Sequence, residues 1–386
     1  MRMRLRHLQR DERGMSYVFV GLGFMAFLTA TTLAIDVGMF MTARSQAQNS
    51  ADAGALAGAV ALGYNSFTDR SPGGPAVQSA INASISNQVI ASQVSVTPSD
   101  VTFPNDPAGH PTRVQVNVFR TAQRSNPIPT LMGSLFGLQT VDIPATATAE
   151  ASPANAETCV MPFTIPDKWI DKQSPPWDPS DTFTIYDNGG NLLPPGQQDV
   201  YIPADQTGYT GYNADRDRGL ELVLKANNTT KVAPSFYNPW DLPGSVGASD
   251  YRNNIATCNA AIVPIFDPMT PEPGNMEGPT VQGTAGRVAQ DPGAWWDTSC
   301  NCVKGSAFGI SPRVVIVPVY DPMYYAVGIH SGRNASLKVA NYLGFFIEGV
   351  QGNQVMGRIT PVAGVLDDNA GPAPAGAFPV VIRLVQ

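Results

Sequence analysis

Histidine is scarce in this chain: three in 386 residues, His7, His110 and His330. A histidine-based catalytic triad or a zinc site therefore has few places to form. The motifs that announce other chemistry are missing as well. No Gly-Lys dipeptide occurs, which excludes a phosphate-binding P-loop. HExxH, GxSxG and CxxC are also absent. His110, in DPAGHP, and His330, in GIHSGRN, both read as loop residues. Together these absences argue against an enzyme, and no cofactor is expected.

Basic residues are few, 24 against 31 acidic, for a net charge of −7. Scattered Lys and Arg give no stripe for nucleic acid. The first thirteen residues are the exception. Arg2, Arg4, Arg6, Arg10 and Arg13 stand there against Asp11 and Glu12.

The longest apolar run comes directly after this basic tail. Gly14 to Ile35 reads GMSYVFVGLGFMAFLTATTLAI, without a charge. As a helix it spans about 33 Å, enough to cross a bilayer core of ~30 Å. The run exceeds the apolar region of a cleaved signal and continues in helical pattern past Asp36, so a retained single-pass anchor is expected, with inner-membrane lipid as its surroundings. Flanking arginines place residues 1–13 in the cytoplasm and the bulk in the periplasm. Asp36 reads as an interfacial residue at the outer boundary, with a buried partner contact as the alternative.

Beyond the anchor comes QNSADAGALAGAVALG, residues 48–63, almost all small side chains. Ala51, Gly54, Gly58 and Ala61 recur at three and four residues and share one helix face. Such a face allows close backbone approach, to the chain's own sheet or to a neighbouring subunit. The helix is expected to run unbroken from Met15 to Leu62, since no proline interrupts it. SPGG at 71–74 marks a loop, and 75–88 reads as a second helix. RVQVNVF, 113–119, alternates valine with polar residues, a strand with Val114, Val116 and Val118 on one face.

The fold class expected is α+β: an N-terminal transmembrane helix, a helix-on-sheet domain over 37–157, and a β-rich domain over 158–386. Strands are expected within VMPFTI, TFTIY, GLELVLK, AAIVPIF, RVVIVPVYD, ANYLGFFIEGV, VMGRITPVAGV and AFPVVIRLVQ. Pro318 within RVVIVPVYD predicts an edge strand or a bulge.

Four cysteines, Cys159, Cys258, Cys300 and Cys302, all lie beyond the anchor. Outside the cytoplasm an even number implies disulfides. A bridge between Cys300 and Cys302 would close a strained small ring, so each is expected to pair with one of Cys159 and Cys258. Asn213, Asp215 and Asp217 alternate as calcium ligands do, but Arg218 replaces the required glycine and Leu224 the closing glutamate. They are weak metal candidates, and a solvated turn is the plainer reading. Trp295 and Trp296 read either as a contact patch for a partner or sugar, or as core under a loop.

The anchor, then AIDVG, then NSADAGALAGA, resembles the N-terminal region of TadG-like proteins of the Flp, or tight adherence, pilus system. Arg13-Gly14, Ile35-Asp36-Val37-Gly38 and Ala51-Asp52-Ala53 carry the resemblance. It implies a membrane-anchored component of pilus assembly, minor pilin-like or an assembly protein, acting through contacts with other Tad/Flp proteins or with itself. Prepilins of that pathway carry Glu at the fifth residue after the cleaved Gly. Here that position is Phe19, so cleavage after Gly14 is not expected. The alternative is an anchored periplasmic or surface binding module, an adhesin, whose β-rich domain takes a glycan or calcium.

Overall fold

The computed structural model describes residues 13–107, 109–330 and 332–385. They form two compact units. One comprises residues up to Ala59, Arg70–Ala149 and the extreme C-terminus; the other comprises Val60–Asp69 and Glu150–Arg383. The chain passes between the units after Ala59, Asp69, Ala149 and Arg383.

The first unit is built on α1 (Arg13–Tyr64), a single helix of 52 residues. Residues 16–31 of its apolar run are exposed. It is the one stretch among the described residues long and apolar enough to cross a membrane. The hydroxyls of Thr29, Thr31 and Thr32 donate to the carbonyls of Met25, Phe27 and Leu28 one turn earlier. No side-chain donor of these threonines is left to be desolvated in lipid. One face is buried from Asp36 onward: Ala43, Ala47, Ala51, Ala55 and Ala59 recur every four residues. Small side chains let that face lie close to its neighbours.

Those neighbours are α2 (Pro75–Ser86) and a sheet. Pro75 opens α2 at a position where its missing N–H costs nothing. The sheet contains β1 (Val101–Thr102), β2 (Arg113–Arg120) and β3 (Ile143–Pro153), in the order β3-β2-β1. β1 and β2 are antiparallel, with Val101 opposite Val116. The alternation in β2 is as the sequence predicts: Val114, Val116 and Val118 are all fully buried. A short hairpin pairs Ile128–Pro129 with Thr140–Val141, and a 3₁₀ turn, Gly133–Phe136, lies at its tip.

The second unit is a closed barrel. Its strands are β4 (Phe163–Pro166), β5 (Glu221–Ala226), β6 (Phe236–Asp241), β8 (Val314–Tyr320), β9 (Val339–Gln351) and β10 (Gln354–Thr360), with β7 (Thr270–Pro271) added outside on β6. β5, β10, β9 and β8 follow one another antiparallel. β8 then pairs in parallel with β4, β4 antiparallel with β6, and β6 in parallel with β5. That last pairing closes the ring and leaves no open edge among the six. Phe163, Ile165, Leu222, Leu224, Val317, Phe345 and Ile359 belong to its core. Two helices, α3 (Gly247–Ala256) and α4 (Glu277–Gln290), pack on each other. A Cβ at Gly283 would come within 2.7 Å of Ile255 Cβ, so only glycine permits that approach.

Of the two readings of Pro318, the bulge holds and the edge strand does not, and two other strand expectations need correction. Pro318 sits in an interior strand, opposite Tyr342, and the irregularity comes one residue later, between Val319 and Tyr320. The ladder tolerates the proline through a bulge. TFTIY forms no strand, and Tyr186 makes only an isolated bridge to Leu192. AAIVPIF is extended only at Val263–Pro264, where the proline withholds an N–H.

Candidate functional site

The Ala/Gly face of α1 is where the first unit is tightest. A Cβ built on Gly58 would stand 2.7 Å from Val114 Cγ1 and 3.2 Å from Ala80 Cβ. One on Gly54 would collide with Ser84 Oγ and reach 3.0 Å from the Ala80 carbonyl. So these two glycines meet α2 and the valine face of β2. Ala51 is buried on the same face, and Ala61 is buried where α1 enters the second unit. Ser50 Oγ donates to the Ser84 carbonyl at 2.8 Å, a further tie between α1 and α2.

At the other end of that buried face stands Asp36. It is 5 % exposed, so its side chain is buried against the chain itself. Its carboxylate accepts three successive backbone N–H groups: Leu131 at 3.1 Å, Met132 at 3.2 Å and Gly133 at 2.6 Å. These donors open the 3₁₀ turn, and a carboxylate there satisfies groups the turn leaves unpaired. Gly133 is the residue that fits, because a Cβ there would lie 3.0 Å from Thr130 Cβ. The sequence does not tell which residues Asp36 meets, since they lie about a hundred residues further along.

In the second unit the candidate calcium residues do not converge on a cation. Asp217 is buried and takes Lys168 Nζ at 2.6 Å and Arg216 Nη2 at 2.8 Å. Burial pushes its carboxyl up, but hydrogen bonds from Arg216 and Lys168 outweigh that and hold it below its ordinary value. Asp215 accepts the Phe67 amide at 3.0 Å, and Asn213 Oδ1 accepts the Asp215 amide at 2.9 Å. Two cationic side chains thus already hold Asp217.

Beside this lies a network absent from the sequence reading. Asp167 is fully buried and accepts the hydroxyls of Tyr209 at 2.7 Å and Tyr201 at 3.0 Å. The amides of Tyr212 and Lys168 complete it, at 3.0 Å and 2.9 Å. Burial pushes this carboxyl up to about 6, with the hydrogen bonds from Tyr209, Tyr212, Lys168 and Tyr201 opposing. With four donors on two oxygens, the carboxylate ties together three stretches of chain, at residues 167–168, 201 and 209–212. A cleft of ≈ 350 Å³ elsewhere in this unit is lined by residues including Trp240, Asp241, Ile262, Asp267 and Arg333. Arg333 pairs there with Asp241.

The cysteines pair otherwise than expected: Cys159 with Cys258 and Cys300 with Cys302, at Cα separations of 4.5 Å and 5.2 Å. The short bridge is possible because Asn301, between its two cysteines, adopts a left-handed φ of 48°. That turns the chain so that both side chains leave on the same side. The bridge closes the tip of a hairpin, Trp295–Asp297 with Cys302–Lys304. The two tryptophans of that hairpin point opposite ways, as strand residues must. Trp295 is 52 % exposed, while Trp296 is buried against Phe346 with ring centroids 6.1 Å apart. His110 is exposed, 3.3 Å from Asp106, and His330 Nε2 lies 2.7 Å from the Tyr325 carbonyl.

Residues 14–61, the anchor and its small-residue continuation, match a family model described as "Putative Flp pilus-assembly TadE/G-like". No curated protein matches the chain. No solved structure matches it either.

Proposed function

We propose, for a chain that carries a TadE/G-like Flp pilus-assembly domain at residues 14–61, that it is a single-pass inner-membrane component of the Flp/Tad pilus machine, acting through protein–protein contacts. The basic tail lies in the cytoplasm and both compact units in the periplasm. Five arginines on one side of the apolar run support this orientation. Four cysteines paired in two disulfides fit an oxidising compartment.

The observation that carries the reading is the form of α1. The family-matched helix continues from an exposed apolar half into a half whose small face is filled by α2 and β2. A helix engaged this way cannot also offer that face to identical helices in a filament core. The chain therefore acts as an accessory or minor component, and other Tad/Flp proteins meet it on other surfaces. A photo-crosslinking residue at the exposed Trp295, with the crosslinked partner identified by mass spectrometry, tests this. Adducts to other Tad/Flp proteins are expected; adducts only to unrelated envelope proteins would contradict it.

A further inference from the structure

Asp36 is the first charged residue after the apolar run. Three hydrogen bonds of 2.6–3.2 Å hold the backbone of Leu131, Met132 and Gly133 beside it. That fixes the hairpin tip at the depth of the helix residue where lipid gives way to water. The tip, LMGSLFGL over 131–138, has no charge. Leu131, Phe136 and Leu138 are 60 %, 67 % and 51 % exposed. Val37 and Met41, within the next turn and a half of α1, are exposed too.

Exposed apolar side chains clustered in this way mark a contact surface. Their position beside the anchor identifies what they contact. Backbone can enter an apolar interface only with its donors satisfied, and Asp36 satisfies those of residues 131–133. We propose that the 131–138 tip dips into the outer leaflet of the bilayer that α1 crosses, a second, monotopic membrane contact. Phe136, Leu131 and Leu138 sit at the headgroup–acyl boundary and fix the tilt and rotation of the first unit on the membrane. The proposal rests on α1 being a membrane anchor.

The test uses the full chain reconstituted in phospholipid vesicles. Its native cysteines are all in disulfides, so one added thiol can carry an environment-sensitive fluorophore. Phe136→Cys reports the tip, with Leu138→Cys as a second site should the first misfold. Gln78→Cys is the aqueous control: Gln78 is exposed on α2, whose Ala76 and Ala80 meet Gly58, and Gly58 lies about 33 Å along α1 from Asp36 at ~1.5 Å per helical residue. Phe24→Cys reports the anchor. Nitroxide lipids labelled near the headgroup are expected to quench the tip probe at least about two-fold and to leave Gln78→Cys unchanged. Quenching of Phe24→Cys by mid-chain nitroxides without quenching at the tip would overturn the proposal and leave the anchor standing. No quenching at Phe24→Cys would overturn both. A tip signal that vanishes when the protein is diluted in lipid would assign the surface to a second copy of the chain and overturn the lipid contact.

Discussion

Asp36 Oδ2 lies 2.6 Å from the amide nitrogen of Gly133, 97 residues further along the chain. One carboxylate just past the apolar run thus sets the position of a distant turn. Hydrogen bonds to charged groups are worth about 1.5–3 kcal/mol, and leaving a buried donor unpaired costs ~1–3 kcal/mol. Asp36→Ala removes the acceptor for three amides at once. The amides of residues 131–133 are expected to exchange with deuterium at least ~10-fold faster, with little change in the barrel of the second unit. Unchanged protection there would mean that the turn is held by something other than Asp36.

The small face of α1 gives a prediction of opposite signs. Gly58→Leu raises helix propensity by nearly ~1 kcal/mol. It also forces atoms toward Val114 Cγ1, which already stands 2.7 Å from a Cβ at this position. Overpacking of that kind costs ~1–3 kcal/mol, so the variant should melt lower than the parent. A raised melting temperature would show that the face opens to solvent. Gly54→Ala should act in the same direction through Ser84.

The two disulfides should differ in weight. Cys159 and Cys258 are separated by 99 residues, whereas Cys300 and Cys302 are separated by 2. In the chain-entropy account a bridge stabilises by restricting the unfolded chain, more so for a longer loop. Replacing Cys159 and Cys258 by serine should cost about 2–5 kcal/mol and expose the second unit to protease. Replacing Cys300 and Cys302 should cost less and act on the Trp295 hairpin alone. Peptide mapping that joins Cys159 or Cys258 to Cys300 or Cys302 would contradict the pairing.

Glu157 is buried, with Oε1 unpartnered among the described residues. Burial pushes its carboxyl up to about 9, against one hydrogen bond from the Thr158 amide. The unfolded chain, with a value near 4.5, loses this proton first. Stability is therefore fully present below about 4.5 and is lost as pH rises toward about 9, by at most ~1.4 kcal/mol per pH unit. Asp167 contributes a slope of the same sign that ends near 6. Between pH 6.5 and 8.5 the loss is mainly that of Glu157, about 2–3 kcal/mol. Glu157→Gln keeps the neutral form and should flatten that interval in urea melts. Equal slopes in parent and variant would show that Glu157 is ionised in the folded protein.

Much of the first unit was legible in the sequence, because its signals are local. An uncharged run, an Ala/Gly period and valines at every second position each specify an element from its own residues. The rest depends on partners far along the chain or on a single backbone angle. Asp36 is one charge among many until Gly133 is brought beside it. The barrel closes through parallel pairs such as Ile165 with Val319, which no short pattern announces. The Cys300–Cys302 bridge turns on the left-handed conformation of Asn301, and ring-size reasoning alone pointed to a different pairing. The alternating carboxylates at 213–217 have the spacing of a cation loop, but Lys168, which neutralises Asp217, lies 49 residues away.

We propose that this chain serves Flp pilus assembly from the inner membrane. The measurement that bears on it most directly is piliation of cells whose chromosomal copy has been deleted, counted by electron microscopy and by immunoblot of sheared pilin. The account predicts that surface pili are lost, that the full chain restores them, and that a version with Gly58→Leu restores them poorly. Cells that keep parental numbers of Flp pili without this chain would contradict it.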